Sequence, residues 1–174
     1  MSKTKKITLS ALIVALCVVF LVMGASFELF DLSVCAFASL LVAFVYIEIG
    51  SPYTFLVWLS SSLLAFLLFP ASFIWAEFFL IFGIYPILKG YIERLLHKLW
   101  WPLKLIYANV AIVILILSCK LITGLPFFEV ENRILIGAIY LVLNVAFVLY
   151  DFFLTVLIHY YMKKLRARFK SFLK

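Results

Sequence analysis

The feature that most restricts the fold of this chain is a series of six apolar runs separated by polar residues, glycine or proline. A helix needs roughly 20 residues to cross the hydrocarbon core of a bilayer, and each run approaches or exceeds that length. The predicted helices cover residues 7–24, 32–49, 53–69, 72–93, 102–122 and 133–162. The sequence therefore predicts an all-α, polytopic membrane bundle of six transmembrane helices.

The composition agrees with this prediction. Hydrophobic residues make up 68% and charged residues 13% of the chain, whereas soluble domains contain about half apolar and about a quarter charged residues. The connections between the runs are too short to hold a soluble domain. We expect residues 1–162 to form one transmembrane domain and residues 163–174 to form a basic cytoplasmic tail.

Positive charges are distributed unevenly along the chain. Of the 15 Lys and Arg residues, 13 lie within residues 3–6, 89–104 and 163–174, which six helices place on one side of the membrane. Because Lys and Arg favour the cytoplasmic side, we expect both termini to lie in the cytoplasm. We expect the chain itself to reside in the cell inner membrane. The net charge of +7 is thus interpreted as topology and not as nucleic-acid binding. The first apolar run is too long for a signal peptide and is expected to be retained.

The fourth run carries the densest set of signals, between Trp75 and Trp101. Gly83 and Pro86 interrupt it, and Pro86 predicts a kink because it leaves the carbonyl of Phe82 without its helical partner. Lys89 and Glu93 follow with the i, i+4 spacing of a helical ion pair. Two interpretations stay open for this pair: a docking surface for a partner protein, or a solvated helix end.

Asp151 lies near the middle of the last helix. A charged group there costs about 2.5–3.5 kcal/mol on insertion scales, so its side chain is expected to face protein or water and to have a partner. Asn144 and Thr155 share its helix face, with Tyr140 and His159 nearby. This stripe predicts either the lining of a substrate cavity or a seam of interhelical hydrogen bonds.

Other polar residues have predicted partners within the bundle. Glu77, near the external end of the fourth helix, is expected to pair with Lys120, although it could also meet an entering solute. Glu48 is a predicted partner of Lys89 or Arg94. Asn109 is expected to bond a neighbouring helix.

Signals for catalysis are weak. His97 and His159 belong to no metalloprotease motif or metal-ligand spacing, and Ser60, Ser61 and Ser62 favour close helix packing. We expect no enzyme activity, no cofactor and no metal. The cysteines are expected to be small core residues: Cys17, Cys35 and Cys119.

The first helix contains the segment LSALIVAL, in which Ala11 and Ala15 form a small face at i, i+4. Together with the basic start and the six-helix layout, this segment resembles the substrate-binding S component of energy-coupling factor (ECF) transporters. The resemblance implies capture of a vitamin or similar micronutrient from outside. It also implies docking through Ala11 and Ala15 onto a transmembrane coupling subunit driven by two ATPases.

In the resembled family the later helices build the pocket near the external side, which makes Glu77, Lys120, Asn144 and Asp151 the candidate substrate-binding residues here. A second resemblance, in length, helix count and basic ends, is to the rod-shape-determining membrane protein MreD, a scaffold without a transported ligand. A cavity with convergent polar groups that opens outward would favour the solute-binding protein, whereas a dry interior with an apolar flank for partner proteins would favour the scaffold.

Overall fold

The computed structural model describes residues 2–27, 30–95, 99–123 and 133–166, and the side chains of these residues except 95, 119–123, 133 and 134. The described part folds into α-helices, joined by turns and by two π-helical segments, Phe78–Phe82 and Tyr161–Leu165. The helices are α1 (Lys3–Ser26), α2 (Asp31–Glu48), α3 (Ser51–Leu68), α4 (Ile74–Glu77), α5 (Tyr85–Leu95), α6 (Trp100–Thr123) and α7 (Arg133–Tyr160).

Six segments of the described chain are long and apolar enough to cross a membrane, since α4, the first π-helical segment and α5 together form one span from residue 74 to residue 94. This confirms the predicted all-α architecture with six spans and indicates a multi-pass membrane protein. Large apolar side chains cover much of the outside of the bundle, as contact with lipid allows. Among the most exposed are Leu67, Leu141, Leu149 and Phe152.

The turn between α2 and α3 reverses the chain at Gly50. This residue has a φ of 105°, a conformation that a residue with a Cβ rarely adopts. Pro52 lies in the first turn of α3, where its missing N–H costs no hydrogen bond. The hydroxyl of Thr54 donates to the Gly50 carbonyl at 2.9 Å. The chain therefore reverses at this glycine within a few residues.

Helix α1 packs against α2 and α3, while α2 also reaches α5 and α7, and α6 packs against α5 and α7. One cluster of buried residues joins these helices. Cys17 and Cys35 lie within it, fully buried, as predicted for small core residues; the Cys119 side chain lies outside the described residues. The core thus connects the helices that carry the polar side chains considered below.

The fourth span is broken, whereas the sequence predicted one helix over residues 72–93. The Gly83 amide donates to the Phe78 carbonyl at 2.7 Å, five residues back, which is the π-helical pattern. Pro86 supplies no amide hydrogen to the Phe82 carbonyl. The break therefore begins at the π-helical turn and continues to the proline, a larger interruption than the predicted kink.

Side chains from other helices satisfy the carbonyls of residues 79–82 in this break. Trp58 donates its indole N–H to the carbonyl of residue 79 at 3.1 Å, and the Tyr107 hydroxyl lies against the next two carbonyls. The Tyr150 hydroxyl donates to the Phe82 carbonyl at 3.3 Å. Because backbone groups at membrane depth need internal partners, these three aromatic donors hold the broken span in place.

Candidate functional site

A buried group of charges lies where α5, α6 and α7 meet. It consists of Lys89 and Glu93 on α5, Lys104 on α6 and Asp151 on α7, and is called the charged cluster below. Lys89, Lys104 and Asp151 are at most 3% exposed, while the Glu93 side chain is 33% exposed. The cluster thus has three buried members and one member at its rim.

Asp151 is the most heavily bonded member of the charged cluster. Its carboxylate accepts hydrogen bonds from the ammonium groups of Lys89 and Lys104, the latter at 3.0 Å and 3.2 Å. The Tyr85 hydroxyl donates to it at 2.6 Å. Charge-assisted bonds of this kind are stronger than bonds between neutral groups, so Asp151 holds α5, α6 and α7 together.

Glu93 completes the coordination of both lysines through one carboxylate oxygen. Its Oε1 lies 3.2 Å from Lys89 Nζ and 2.7 Å from Lys104 Nζ. Lys89 also donates to the Thr155 hydroxyl at 2.7 Å. Two ammonium groups therefore face two carboxylates, and the charged cluster is neutral as a whole when all four are ionised. Such a balance offsets the desolvation cost that an unpaired buried charge would carry.

Aromatic rings enclose the charged cluster. The Tyr85 ring lies 4.9 Å from Phe147 and 5.6 Å from Tyr150, between ring centroids. On the other side, Lys104 Nζ lies 4.9 Å from the centroid of the Trp100 ring, within the range of a cation–π contact. The rings cover the three buried members of the cluster, where a lower local dielectric strengthens ion pairs.

A cavity of about 380 Å³ adjoins the charged cluster at the end of the bundle where α2 and α5 terminate. It is called the basic cavity here. Lys89 and Glu93 form the part of its wall that belongs to the charged cluster. The other residues of its wall with polar side chains are Tyr46, Arg94, Thr155, His159 and Arg166. The cavity joins the rim of the cluster to a predominantly cationic surface.

A second cavity, of about 310 Å³, lies between α2, the broken span, α6 and α7. Apolar side chains dominate its wall, with Ser33 and Tyr150 as its polar residues. The Tyr150 hydroxyl is already engaged by Ser39, at 2.8 Å, and by the Phe82 carbonyl. This groove therefore presents an apolar surface.

The sequence-predicted candidates divide between the charged cluster and other places. The structure confirms the ion pair of Lys89 with Glu93 and gives Asp151 the partner that its depth required. Lys89, however, is buried between helices and is not presented on a surface, which differs from its expected placement at a docking face. A docking role for Lys89 and Glu93 stays a prediction.

The predicted stripe on the last helix is split in two. Thr155 joins the charged cluster, but Asn144 donates to the Tyr140 carbonyl one turn back at 3.0 Å. The Tyr140 hydroxyl bonds Asn109 on α6, as predicted for Asn109. Tyr140 and Asn109 thus form a separate polar link between α6 and α7. Asn144 bonds the backbone of its own helix, and its substrate-binding role stays a prediction.

Glu48 pairs with a residue that the sequence did not suggest. Its Oε1 accepts from the Arg166 guanidinium at 3.0 Å and from the Tyr161 hydroxyl at 3.2 Å, so the predicted pairing with Lys89 or Arg94 is wrong. Lys89 is turned into the cluster, and Arg94 lies over an aromatic ring of α2. Tyr161 and Arg166, which follow α7, occupy the position that these cations were expected to take.

Four further predicted residues, Glu77, Lys120, Ala11 and Ala15, have no described contact with the charged cluster. Glu77 is partly buried at the opposite end of the fourth span, and its Oε2 has no hydrogen-bond partner among the described residues. The Lys120 side chain lies outside the described residues, so the predicted pair of Glu77 with Lys120 stays a prediction. Ala11 and Ala15 lie on an exposed face of α1.

Sequence reasoning missed Lys104 and Tyr85 as members of the site. Lys104 was interpreted only as a topology signal, and Tyr85 was assigned no role. A signal for Lys104 was present, because Asp151 needs a cationic partner and Lys104 lies inside the first turn of the neighbouring apolar run.

The charged cluster and the basic cavity can bind a charged solute. The described residues offer little for metal chemistry, since they contain no group of three His, Cys, Asp or Glu side chains placed to hold a metal ion.

Comparisons with protein-family models, with curated proteins and with solved structures gave no match to this chain.

Proposed function

We propose that this chain is a membrane-embedded solute-binding subunit of a multisubunit micronutrient importer, similar in role to an ECF S component. The observation that carries the proposal is the pair of buried lysines beside the basic cavity. Charged side chains inside a membrane protein are costly and commonly mark the path or the site of a polar solute. A cavity of this volume is within the range of small-molecule sites, about 300–1,000 Å³.

The proposal places both termini in the cytoplasm, because the basic residues at the chain ends and around α5 then lie on the side that Lys and Arg favour. The basic cavity would face the cytoplasm in this orientation, as release of a solute requires. Capture from outside would then require the aromatic residues around Tyr85 to move apart. The chain would reside in the inner (cytoplasmic) membrane.

Docking onto a transmembrane coupling subunit with its ATPases is proposed through α1. Ala11 and Ala15 lie on an exposed face of this helix, and small residues let the backbones of two membrane helices approach closely. The outer end of the bundle, with the partly buried Glu77, would receive the solute first.

One observation favours a second function, that of a non-catalytic scaffold of a cell-envelope complex, as for MreD. Every ionised group of the charged cluster already has partners within the chain. Such a closed network could serve to fix α5, α6 and α7 in one arrangement. In a scaffold the basic cavity would hold no solute.

The docking part of the proposal is tested by purification of tagged protein from its own membranes. Ala11→Trp together with Ala15→Trp should abolish copurification of a coupling subunit and its ATPases, because the indole rings prevent close helix approach. Leu63→Trp with Leu67→Trp is the matched control, since both leucines lie exposed on α3 with the same spacing. Equal recovery of these partners with both double variants would contradict docking through α1.

A further inference from the structure

We propose that the basic cavity binds an anion, a carboxylate or a phosphate group, and that this anion replaces Glu93 between Lys89 and Lys104. The inference rests on the proposed function only in taking the basic cavity as the binding site. It adds the chemical class of the ligand and identifies Glu93 as the side chain that the ligand displaces.

The three buried members of the charged cluster require a second anion. Lys89 and Lys104 are both buried, and Asp151 is the one buried carboxylate that contacts them among the described residues. These three groups together carry one excess positive charge when ionised. Glu93 neutralises this charge from the rim, where about a third of its side chain is exposed.

The two carboxylates differ in how firmly they are held. Asp151 accepts from three side chains on two neighbouring helices, Tyr85 and Lys89 on α5 and Lys104 on α6, and is enclosed. Glu93 contacts the two lysines through a single oxygen and forms part of the cavity wall. Because Glu93 is a third exposed and is held through one oxygen at the cavity wall, it has room to turn into the cavity mouth, whereas Asp151 cannot leave without breaking the cluster.

The wall of the basic cavity fits an anion on its way to the lysines. Arg94 and His159 lie at exposed positions of this wall, and Arg166 lies there too, although Glu48 already engages its guanidinium. Cationic walls raise the local concentration of anions. An incoming anion would thus exchange with Glu93 and leave the buried part neutral.

The apolar part of the wall indicates that the anion has an apolar body attached. It contains Ala43, Ile47, Pro86, Ile158 and Met162. Two sources offer this chemistry: a water-soluble organic acid or phosphate, and the headgroup of an anionic lipid at the membrane surface. Both present the same charged group to Lys89 and Lys104.

The test uses inorganic phosphate as the probe with the full-length protein in dodecyl maltoside. Thermal unfolding is followed by tryptophan fluorescence at constant ionic strength, and the dissociation constant is obtained from the rise of the midpoint with phosphate. Glu93→Gln should lower this constant about tenfold, because the competing carboxylate is lost while the lysines remain. The unfolding midpoint of Lys104→Gln should no longer rise with phosphate as that of the unchanged protein does, because this substitution removes the excess positive charge.

Glu131→Gln is the matched control, because it alters the net charge equally in the sequence between the fifth and sixth spans. Its phosphate response should equal that of the unchanged protein. The inference is overturned if Glu93→Gln binds phosphate no more tightly than Glu131→Gln. It is equally overturned if the unfolding midpoint of Lys104→Gln rises with phosphate as much as that of the unchanged protein. This comparison does not depend on whether Glu93→Gln folds.

The source of the anion is separated by repeating the titration in nanodiscs of phosphatidylcholine with and without phosphatidylglycerol. Loss of the phosphate response only with phosphatidylglycerol assigns the site to a lipid headgroup, and an unchanged response assigns it to a soluble anion; both support the exchange with Glu93. Recovery of a bound cationic or neutral solute without any anion response would overturn this inference and leave the proposed function standing.

Discussion

Replacing Asp151 with asparagine is the perturbation that most directly probes the charged cluster. The substitution keeps the shape of the side chain but leaves Lys89 and Lys104 buried with Glu93 as their remaining anionic partner. The cluster changes from neutral to one excess positive charge. Removal of one partner from a buried ion pair typically costs about 3–5 kcal/mol, and we expect about 3 kcal/mol here because Glu93 still contacts both lysines.

A second substitution should reverse much of this loss. Lys104→Met in the Asp151→Asn background removes the excess charge and keeps an apolar chain of similar length against Trp100. The pair Lys89 and Glu93 then remains, and the cluster is neutral again. We expect a coupling free energy of about 2 kcal/mol between the two substitutions, within the range measured for residues in direct contact.

The assay is reversible unfolding by sodium dodecyl sulfate in mixed micelles, followed by tryptophan fluorescence. Lys163→Met in the Asp151→Asn background is the matched control, because Lys163 is exposed and lies outside the charged cluster. A loss below about 1 kcal/mol for Asp151→Asn would refute the argument, because it would show that the buried lysines do not depend on this carboxylate. Equal rescue by Lys163→Met and Lys104→Met would refute it as well.

Two further predictions concern the broken fourth span, and the same unfolding assay checks both. Gly83→Ala should destabilise the protein, because the added methyl group would lie 2.8 Å from a backbone carbonyl oxygen. Gly137→Ala is the control: its methyl group meets no atom within 4 Å, so it should be neutral or stabilise the protein by up to about 1 kcal/mol. Equal effects of the two substitutions would contradict the close packing at Gly83. Tyr150→Phe should lower the free energy of unfolding by about 1–3 kcal/mol, because the Phe82 carbonyl loses its donor. Adding Pro86→Ala should recover part of that loss, because residue 86 then offers an amide donor to the same carbonyl. No recovery would show that the Tyr150 hydroxyl does not serve the Phe82 carbonyl.

The number and extent of the spans could be predicted because hydrophobic length is a local property of the sequence. The break in the fourth span was only partly predictable. Gly83 and Pro86 mark an interruption, but the π-helical turn also depends on donors from distant segments: Trp58, Tyr107 and Tyr150. Local sequence does not indicate which remote side chains will reach a freed carbonyl.

The charged cluster shows the same division between local and remote information. The pairing of Lys89 with Glu93 follows from helical spacing, and the need of Asp151 for a partner follows from its depth. The identity of that partner depends on how each helix is rotated about its axis, which the weak amphipathicity of membrane helices does not fix. For this reason Lys104 was missed.

The measurement that tests the central claim most directly is native mass spectrometry of the protein purified gently from its own membranes. The proposed function predicts a bound small molecule, together with a coupling subunit and ATPases, and predicts that the small molecule is lost in Lys104→Gln. Recovery of cell-envelope proteins with no small molecule in the unchanged protein would contradict the solute-binding role and would make the chain a scaffold.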